Sequence, residues 1–283
     1  MLSTTILSVV SILYIFCSVF YFSNIFLRVK WLERATTILT VLSFLAHTIA
    51  FVMRGVETYQ MGLGYFHVVT LYESLAFIAW SVVGSYLIVE RIYKNKTLGG
   101  FVVPMAAVMM VYASMFSSVD NAIKPVPEVL QGNFYNYHVI PCFFAYAAFA
   151  VSCGASIIFL FKRKKKTEHT AKKVVREFFP SVNVLDSIMY KSIAIGFIFF
   201  TIQMVAGMFR TKIIWGNYWE WDPTQIFGLM TWLIYATILH GRYMRWWGGN
   251  KTAILSIIGF VTSVWGFLAA AGRMFTTGHY PIL

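Results

Sequence analysis

One short stretch of this 283-residue chain is dominated by aromatic side chains. Residues 215–223 read Trp-Gly-Asn-Tyr-Trp-Glu-Trp-Asp-Pro and place three tryptophans and one tyrosine within seven residues. Asp222 and Pro223 mark a helix start, because aspartate caps helix N-termini and proline fits the first turn. Such a loop is either an aromatic anchor at a membrane interface or an apolar platform for a planar ligand, and clustering on one loop favours the platform. The residues predicted to build it are Trp215, Gly216, Tyr218, Trp219, Trp221 and Asp222.

Two of the six histidines fall at the same predicted membrane depth as this loop. His138 opens the fifth predicted helix, and His279 follows the eighth. Two neutral imidazoles that flank an aromatic surface are what axial ligation of a heme iron requires. His240 lies about 17 residues along the seventh helix, roughly 25 Å from that level. Its position therefore predicts either a second, inner site or a structural hydrogen bond.

Charged groups near the outer level form a third set of candidates. Glu73 lies in the run Leu71–Leu75, and a carboxylate inside a span needs a partner. Arg54 is the nearest cation by depth, which predicts a structural ion pair between adjacent helices. By depth alone, Arg54, Arg210 and Arg273 are also candidates to pair with the propionates of a bound heme.

The other three histidines carry weaker expectations. We predict structural roles for His47 and His67, and solvation in a basic loop for His169.

The composition predicts how these residues are positioned. Hydrophobic residues make up 59% of the chain and charged residues 12%, with a mean hydropathy of +0.69. A soluble domain carries about 25% charged residues, so a soluble enzyme, a disordered chain and a secreted disulfide scaffold are excluded. The three cysteines lie in apolar runs without a CxxC motif, which is typical of buried hydrophobic positions. We therefore predict an all-α, polytopic membrane bundle that forms a single domain over 1–283, without internal repeats.

Apolar stretches predict eight transmembrane helices, and the first lacks a cleavage site typical of a signal peptide. The predicted spans are roughly 3–27, 36–53, 68–89, 101–117, 139–161, 190–209, 223–241 and 253–271.

Basic residues predict the orientation of these spans. Three follow helix 1, three follow helix 3, nine follow helix 5 and three follow helix 7, which places 18 of the 23 on one side. By the positive-inside rule that side is cytoplasmic, so both termini lie on the outer, periplasmic-side face. The formal net charge of +12 is thus interpreted as a topology signal rather than as a nucleic-acid surface. The longest cytoplasmic loop is the basic segment 162–189, and the Trp-rich loop, 210–223, is outside.

The motifs, in this order, resemble those of the heme-handling proteins of cytochrome c maturation, in particular the CcsA/ResC type of bacteria and plastids. The resemblance covers most of the chain and includes several motifs besides the Trp-rich signature. These are Leu71–Leu75, Tyr137–Val139, Leu185–Ser187 with Tyr190, Thr231-Trp232, Leu239–Arg242 and Gly278–Tyr280.

The resemblance implies a function and a set of roles. Such proteins work with a CcsB/ResB partner in the bacterial inner (plasma) membrane, carry heme b outward and present it, reduced, to apocytochrome c. His138 and His279 then correspond to the outer heme ligands, and His240 to a membrane-embedded ligand whose second axial partner comes from the other subunit. Trp215, Trp219, Trp221 and Asp222 fall on the signature. Within a holocytochrome c synthase complex no nucleophile from this chain is needed, and a thioredoxin-like thiol reductant is a further partner.

One departure and three alternatives accompany this interpretation. Plastid relatives read Pro-Lys-Glu where this chain has Pro223-Thr224-Gln225, so a role for those charges does not carry over. CcmC-type and CcmF-type proteins share the signature, but the eight spans and the Tyr72-Glu73-Ser74 motif argue against the shorter CcmC type, and the chain length argues against CcmF. A heme electron-transfer subunit that exchanges electrons with quinol is the principal alternative function. A transporter of another aromatic solute, without heme, is the third.

Overall fold

The computed structural model describes residues 1–27, 29–63, 68, 70–115, 119–125, 133–167 and 179–276, with side chains left undescribed at 133–136, 164–167 and 272–276. This part of the chain is all-helical. Its helices are α1 (Leu2–Leu27), α2 (Lys30–Gln60), α3 (Leu71–Tyr93), α4 (Gly99–Met115), α5 (Asn133–Thr167), α6 (Val182–Trp215), α7 (Pro223–Tyr243) and α8 (Gly249–Thr276).

The eight predicted helices are confirmed, and six of those described (α1, α2, α3, α5, α6 and α8) are long and apolar enough to cross a membrane. The 17-residue α4 is apolar but shorter than such a span. The remaining helix, α7, carries polar side chains such as Gln225, Thr231 and Thr237 along its 21 residues. The fold is therefore a multi-pass membrane bundle, and the side on which its termini lie stays a prediction.

Several helices are longer than the apolar stretches that predicted them, because capping groups rather than hydropathy set their ends. The sixth span was predicted at 190–209, but α6 begins after Ser181, whose hydroxyl accepts from the Val184 amide at 3.2 Å. It ends at Gly216, whose φ of +80° provides the left-handed turn that favours glycine. At α3, the Thr70 hydroxyl accepts from the Glu73 amide, and the Glu73 carboxylate accepts from the Thr70 amide.

The helix at the centre of the bundle is α5. In its apolar stretch 78% of the residues are buried, against 28–50% in the five other candidate spans. Small residues such as Ala147, Ala150 and Gly154 let neighbouring helices approach closely. On α6, Gly196 faces Phe149, and a Cβ there would lie 2.6 Å from the Phe149 ring. This packing fixes α5 against α6, the two helices that carry one wall of the site.

An ion pair joins the ends of α6 and α7 that lie farthest from the Trp-rich loop. The Arg242 guanidinium donates to both carboxylate oxygens of Asp186, at 2.9 and 2.5 Å. The guanidinium carbon of Arg242 also lies 5.4 Å from the centroid of the Tyr190 ring. The planar guanidinium can donate two hydrogen bonds to one carboxylate, so the pair fixes the end of α7 relative to the start of α6.

Candidate heme-binding site

A cavity of about 440 Å³ lies between α5, α6, α7 and α8 at the Trp-rich end of the bundle. Its volume falls in the range of small-molecule and cofactor sites. The wall is largely apolar and aromatic, with a few polar groups between the rings. The lining residues that matter for its chemistry are His138, Tyr146, Gln203, Arg210, Trp215 and Trp219.

The His138 side chain is held in one orientation by α6. Its Nδ1 lies 2.8 Å from the backbone carbonyl oxygen of Gln203. Because a carbonyl only accepts, Nδ1 carries the hydrogen, and in the neutral ring Nε2 holds the lone pair. Histidines that bind metals are commonly oriented by such a bond from the other ring nitrogen. His138 therefore has the tautomer that an axial ligand of iron needs.

Gly207 makes room for the His138 ring. A Cβ built at Gly207 would lie 2.9 Å from His138 Nδ1 and 3.0 Å from Cε1, which is closer than such contacts allow. Any side chain at this position would therefore push the ring away from the Gln203 carbonyl. The absence of a side chain at Gly207 is thus a condition for the position of His138.

The Trp-rich loop is held at both ends by hydrogen bonds. The Asp222 carboxylate accepts from the amides of Thr224 and Gln225, at 2.7 and 3.1 Å, and caps α7. The Gln225 side chain accepts from the Glu220 amide at 2.8 Å and donates to the Thr211 hydroxyl at 3.0 Å. Gln225 therefore joins the loop to α6, with an amide that uses both of its polar atoms.

The three tryptophans of the loop do not form one flat surface. Trp215 and Trp219 line the cavity, whereas Trp221 is 72% exposed and has a positive φ of 30°. The Trp219 and Trp221 rings meet at 79° with centroids 5.5 Å apart. The predicted single platform is thus a corner, in which the indole rings of Trp215 and Trp219 bound the cavity and the Trp221 ring meets Trp219 edge-on.

One polar atom in this corner lacks a partner within the described residues. The Trp219 Nε1–H is buried and makes no hydrogen bond there. Since a buried donor without an acceptor costs free energy, this position favours a ligand that carries an acceptor group. Arg210, also on the wall, adds a positive charge near His138. Together they suit an anionic group better than an uncharged one.

Five of the residues predicted from sequence therefore come together at the cavity: His138, Arg210, Trp215, Trp219 and Asp222. Gly216, Tyr218 and Trp221 belong to the loop but do not line the cavity. Tyr218 instead packs edge-on against Phe209, with the ammonium of Lys212 5.4 Å from its ring centroid. His279 lies outside the described residues, and so does the side chain of Arg273.

Arg54 forms the ion pair that its depth predicted. Its Nε donates to Glu73 Oε1 at 2.8 Å, and Nη2 donates to the Asn121 carbonyl at 3.1 Å. The Arg54 side chain is fully buried and, among the described residues, does not line the cavity. The geometry thus supports the structural role of Arg54 and provides no contact for a role with propionates. Through Asn121 it holds the loop that leads from α4 toward α5.

That loop carries a second, exposed ion pair between Asp120 and Lys124, at 2.8 Å. The hydrogen bond from Lys124 holds the pKa of the Asp120 carboxyl below its usual range, with a smaller contribution from the Ala122 amide. Both side chains are more than half exposed, so the pair contributes little to stability.

His240 differs from His138 in its exposure, its neighbours and its distance from the cavity. It lies in the last turn of α7, is exposed, and meets the Trp246 ring edge-on with centroids 6.0 Å apart. Asp222 and His240 are 18 residues apart on one helix, or about 27 Å, so His240 cannot share a ligand with the cavity. Its exposed ring is available to the lipid or to another chain.

Of the three remaining histidines, only His47 lies among the described residues. His47 is fully buried, and its Nδ1 lies 3.1 Å from the Tyr14 hydroxyl. His67 and His169 lie outside the described residues.

Two features of the site were not predicted from the sequence. The backbone carbonyl of Gln203 orients His138, and backbone atoms are present at every position. Gly207 acts by lacking a side chain. The one available signal was spacing, because Gln203, Gly207, Arg210 and Thr211 recur at helical intervals on one face of α6.

Fold and site together define a class: a multi-pass helical membrane protein whose Trp-rich loop and half-buried histidine bound a cavity of cofactor size. Residues 68–271 match the family described as Cytochrome C assembly protein, which is more than half of the chain. The chain therefore belongs to that family.

Individual relatives agree with this assignment. The chain is 30% identical over 260 residues to the cytochrome c biogenesis protein CcsA of Trieres chinensis, with 82% of each chain covered. It is 28% identical to CcsA of Synechocystis sp., with 71% of this chain and 75% of the relative covered. The chain is thus a cytochrome c biogenesis protein of the CcsA type.

A solved structure gives an independent comparison of the fold. The cytochrome c heme lyase CcmF superimposes with a TM-score of 0.63 at 14% identity, covering 98% of this chain. This chain spans about half, 49%, of the length of that structure. The likeness extends to the helical fold, and the functional assignment rests on the family and the CcsA relatives.

Proposed function

We propose that the chain binds heme b in the cavity beneath the Trp-rich loop and presents it, reduced, for attachment to apocytochrome c. The observation that carries this proposal is the position of His138. Its tautomer is fixed by the Gln203 carbonyl, and its ring faces an aromatic cavity bounded by Trp215 and Trp219. An imidazole with a free Nε2 beside aromatic walls is suited to the iron and the ring of a porphyrin.

The groups around His138 match the rest of a heme molecule. Trp215 and Trp219 offer apolar faces to the macrocycle, and Arg210 with the Trp219 indole N–H suits a propionate. In this assignment His279 supplies the second axial imidazole, and Arg273 is a further candidate for the other propionate. With imidazoles on both sides, the iron is closed to dioxygen until a ligand leaves.

The chain's contribution to the attachment step is positioning rather than nucleophilic attack. In thioether formation, each cysteine S–H of a CxxCH site adds across one vinyl double bond of the heme, so sulfur and hydrogen are both gained by the vinyl group. The thiols come from the apocytochrome, and therefore no catalytic residue of this chain is required. Holding the heme at a fixed loop brings its vinyl edge within reach of the substrate.

His240 belongs, in this proposal, to a separate inner site completed by a CcsB/ResB-type partner. Its exposed ring at the end of α7 supports a ligand that needs a second imidazole from another chain. The positive-inside distribution supports an outer position for the Trp-rich loop, in the bacterial plasma membrane. A thioredoxin-like reductant would keep the substrate thiols reduced.

The test is the absorption spectrum of the full chain purified with its partner, with His138→Gly and His279→Gly made singly. We expect the reduced bis-imidazole bands to be lost in each variant and restored by added imidazole, because glycine leaves space for the free ligand. The matched control is His169→Gly, a histidine predicted to be solvated, which should keep the wild-type spectrum.

Two outcomes would contradict the proposal. Bands that persist unchanged in both variants would show that these histidines are not the ligands, and the absence of any Soret band would exclude heme. Adding apocytochrome distinguishes the proposal from the main alternative. Heme that leaves the chain for the apocytochrome supports presentation. Heme that stays and is oxidised and reduced by quinol supports an electron-transfer subunit.

A further inference from the structure

A second polar feature lies in the other half of the bundle, where α1 and α2 pack antiparallel. The buried face of each helix is largely polar, with Leu7 and Val10 on α1 and Leu32 and Ala50 on α2 as its apolar members, although both helices are apolar outside. On α2 the buried polar positions are Thr36, Thr40, Ser43, His47, Arg54 and Thr58, and on α1 they are Ser3, Ser11, Tyr14, Cys17, Tyr21 and Asn24. We call this interface the α1–α2 seam.

Side-chain contacts link the two sides of the seam. The Tyr14 hydroxyl lies 3.1 Å from His47 Nδ1, and Cys17 Sγ lies 3.9 Å from the Ser43 hydroxyl. The Thr40 hydroxyl interacts with both Cys17 and Tyr21. Beside the apolar side chains of the same core, these contacts form a row of exchangeable hydrogens between the two helices.

The seam is long enough to cross a membrane. From Thr36 to Thr58 is 22 residues, or about 33 Å of helix, against a hydrocarbon thickness of about 30 Å. At the end nearest the Trp-rich loop, the Glu57 carboxylate accepts from the hydroxyl of Ser3 at 2.5 Å. Polar groups therefore extend along the whole interface.

The opposite end of the seam meets a buried carboxylate and a small cavity. Glu90 accepts hydrogen bonds from Tyr21 at 2.9 Å, Tyr86 at 2.5 Å and Thr37 at 2.6 Å. Beside it lies a mainly polar cavity of about 190 Å³, whose lining includes Tyr21, Asn24, Glu33, Lys94 and Lys96. Glu90 thus connects this cavity to the seam through Tyr21.

Three polar atoms along the seam have no hydrogen-bond partner in the described part of the chain. They are His47 Nε2, Ser11 Oγ and Asn24 Oδ1, and each belongs to a residue that is at least nine-tenths buried. In a membrane interior such atoms cost several kcal/mol unless water satisfies them. Since buried waters occupy polar sites with several partners, these three atoms mark positions for water between α1 and α2.

We propose that the α1–α2 seam binds internal water and forms a proton-exchange path that enters at Glu90 and reaches His47. Titratable groups face the path from three helices: Tyr14, Cys17 and Tyr21 on α1, His47 on α2, and Tyr86 and Glu90 on α3. Arg54, Glu57 and Glu73 are the charges at its far end. A proton that arrives at one ring nitrogen of His47 is balanced by one released from the other, and no electrons move. The path is separate from the heme cavity and does not depend on the proposed function.

The chain contains a native reporter for this path. Cys17 lies in the seam, whereas Cys153 lies on α5, outside the seam, and both are buried with exposures of 0% and 3%. Burial alone predicts that the two thiols exchange S–H for S–D equally slowly in D₂O. Infrared spectra of the full-length chain in lipid nanodiscs would compare a Cys142→Ala/Cys153→Ala variant with a Cys17→Ala/Cys142→Ala variant.

We expect the Cys17 thiol to exchange at least about tenfold faster than the Cys153 thiol, because water reaches it without local unfolding. Glu90→Gln and Tyr21→Phe should each slow exchange at Cys17, because they interrupt the entrance. Tyr14→Phe, beyond Cys17, should leave it unchanged. Equal exchange at the two thiols would overturn the proposal, and slowing by Tyr14→Phe alone would overturn the direction of entry.

The part that reaches His47 has its own test. Ser11→Cys in a chain without other cysteines places a thiol one turn beyond Tyr14, on the far side of the entrance. His47→Leu should slow S–D exchange at this thiol and leave exchange at Cys17 unchanged. Exchange at position 11 that is equally fast with and without His47 would remove His47 from the path. Tyr14→Phe, which deletes a single oxygen, repeats this test if His47→Leu does not fold.

Discussion

His138 and His240 lie at opposite ends of the same group of helices, and they differ in burial and in the side chains around them. His138 is half-buried, its tautomer is fixed by α6, and it faces a cavity lined by side chains of this chain. His240 is exposed at a helix end, with Trp246 as its aromatic neighbour. The first arrangement is preorganised for a ligand, whereas the second would need groups from another chain to form a site. Under the proposed function, we therefore expect this chain to build the site at His138 mainly by itself and a site at His240 only with a partner.

The largest expected effect tests the preorganised end. Gly207→Ala places a Cβ 2.9 Å from His138 Nδ1, so the ring must move off the Gln203 carbonyl. Losing the group that orients a metal-binding histidine costs about 10–100-fold in affinity, and we expect heme retention to fall by that factor. Retention is measured as Soret absorbance per chain after purification with the partner.

A matched control for this variant is available in the same cavity. Gly228 also lines it, but a Cβ there would have no neighbour within 4 Å. Gly228→Ala should retain heme as the wild type does. Equal losses in the two variants would mean that any added methyl disturbs the cavity, and that the position of His138 is not the cause.

The second prediction concerns the end that carries His240. Asp186→Asn removes one charge of a bidentate ion pair whose side chains are 19% and 26% exposed. Hydrogen bonds to charged groups contribute about 1.5–3 kcal/mol. We therefore expect the free energy of unfolding, measured by thermal denaturation, to decrease by an amount within or below this range. Arg242→Lys keeps the charge but loses the planar fork, and its effect should be intermediate.

The two ends should respond separately to these variants. Asp186→Asn should reduce the stability of the complex with the partner and leave the His138 bands at their wild-type positions. A shift of those bands would show that the inner end of α7 also controls the outer cavity, and would contradict the separation of the two sites.

Much of this comparison could be predicted from the sequence, and the exceptions have a common physical cause. Apolar stretches predicted eight helices, and clustering with depth predicted that His138, Trp215 and Trp219 lie together. Helix ends were less accurate: the second span was predicted at 36–53, but α2 covers Lys30–Gln60. Hydropathy measures the part of a helix inside the lipid, whereas caps and interfacial residues determine where it stops.

Ring orientations in the loop could not be predicted from composition. Trp221 has the same side chain as Trp215, yet its positive φ directs it away from the cavity. The role of Gly207 depends on the distance between two helices, which a single sequence does not contain. Interactions made by backbone atoms or by missing atoms therefore require the structure.

The third prediction concerns how the loop is fixed at the preorganised end. Gln225→Met keeps the side-chain volume but removes both hydrogen bonds, to the Glu220 amide and to Thr211. At about 1 kcal/mol for each bond, we expect a loosened loop and a several-fold faster loss of heme. Gln225→Glu retains the acceptor for Glu220 and should show a smaller effect. If both variants release heme at the wild-type rate, the loop is held by its aromatic contacts instead.

The smallest effect is expected at the surface of the same end. Asp120→Asn removes the exposed ion pair with Lys124, and exposed pairs contribute about 0–1 kcal/mol. The pKa of Asp120 is lowered in the folded chain, so its contribution is present above the unfolded value of about 3.9 and is lost as the pH falls below it. Asp120→Asn should therefore lower thermal stability slightly at neutral pH and not at all near pH 2. A large loss at neutral pH, comparable to that of Asp186→Asn, would show that this loop supports the helix bundle through Asn121 and Arg54. The two ends of the bundle would then be stabilised by the same kind of ion pair rather than by different ones.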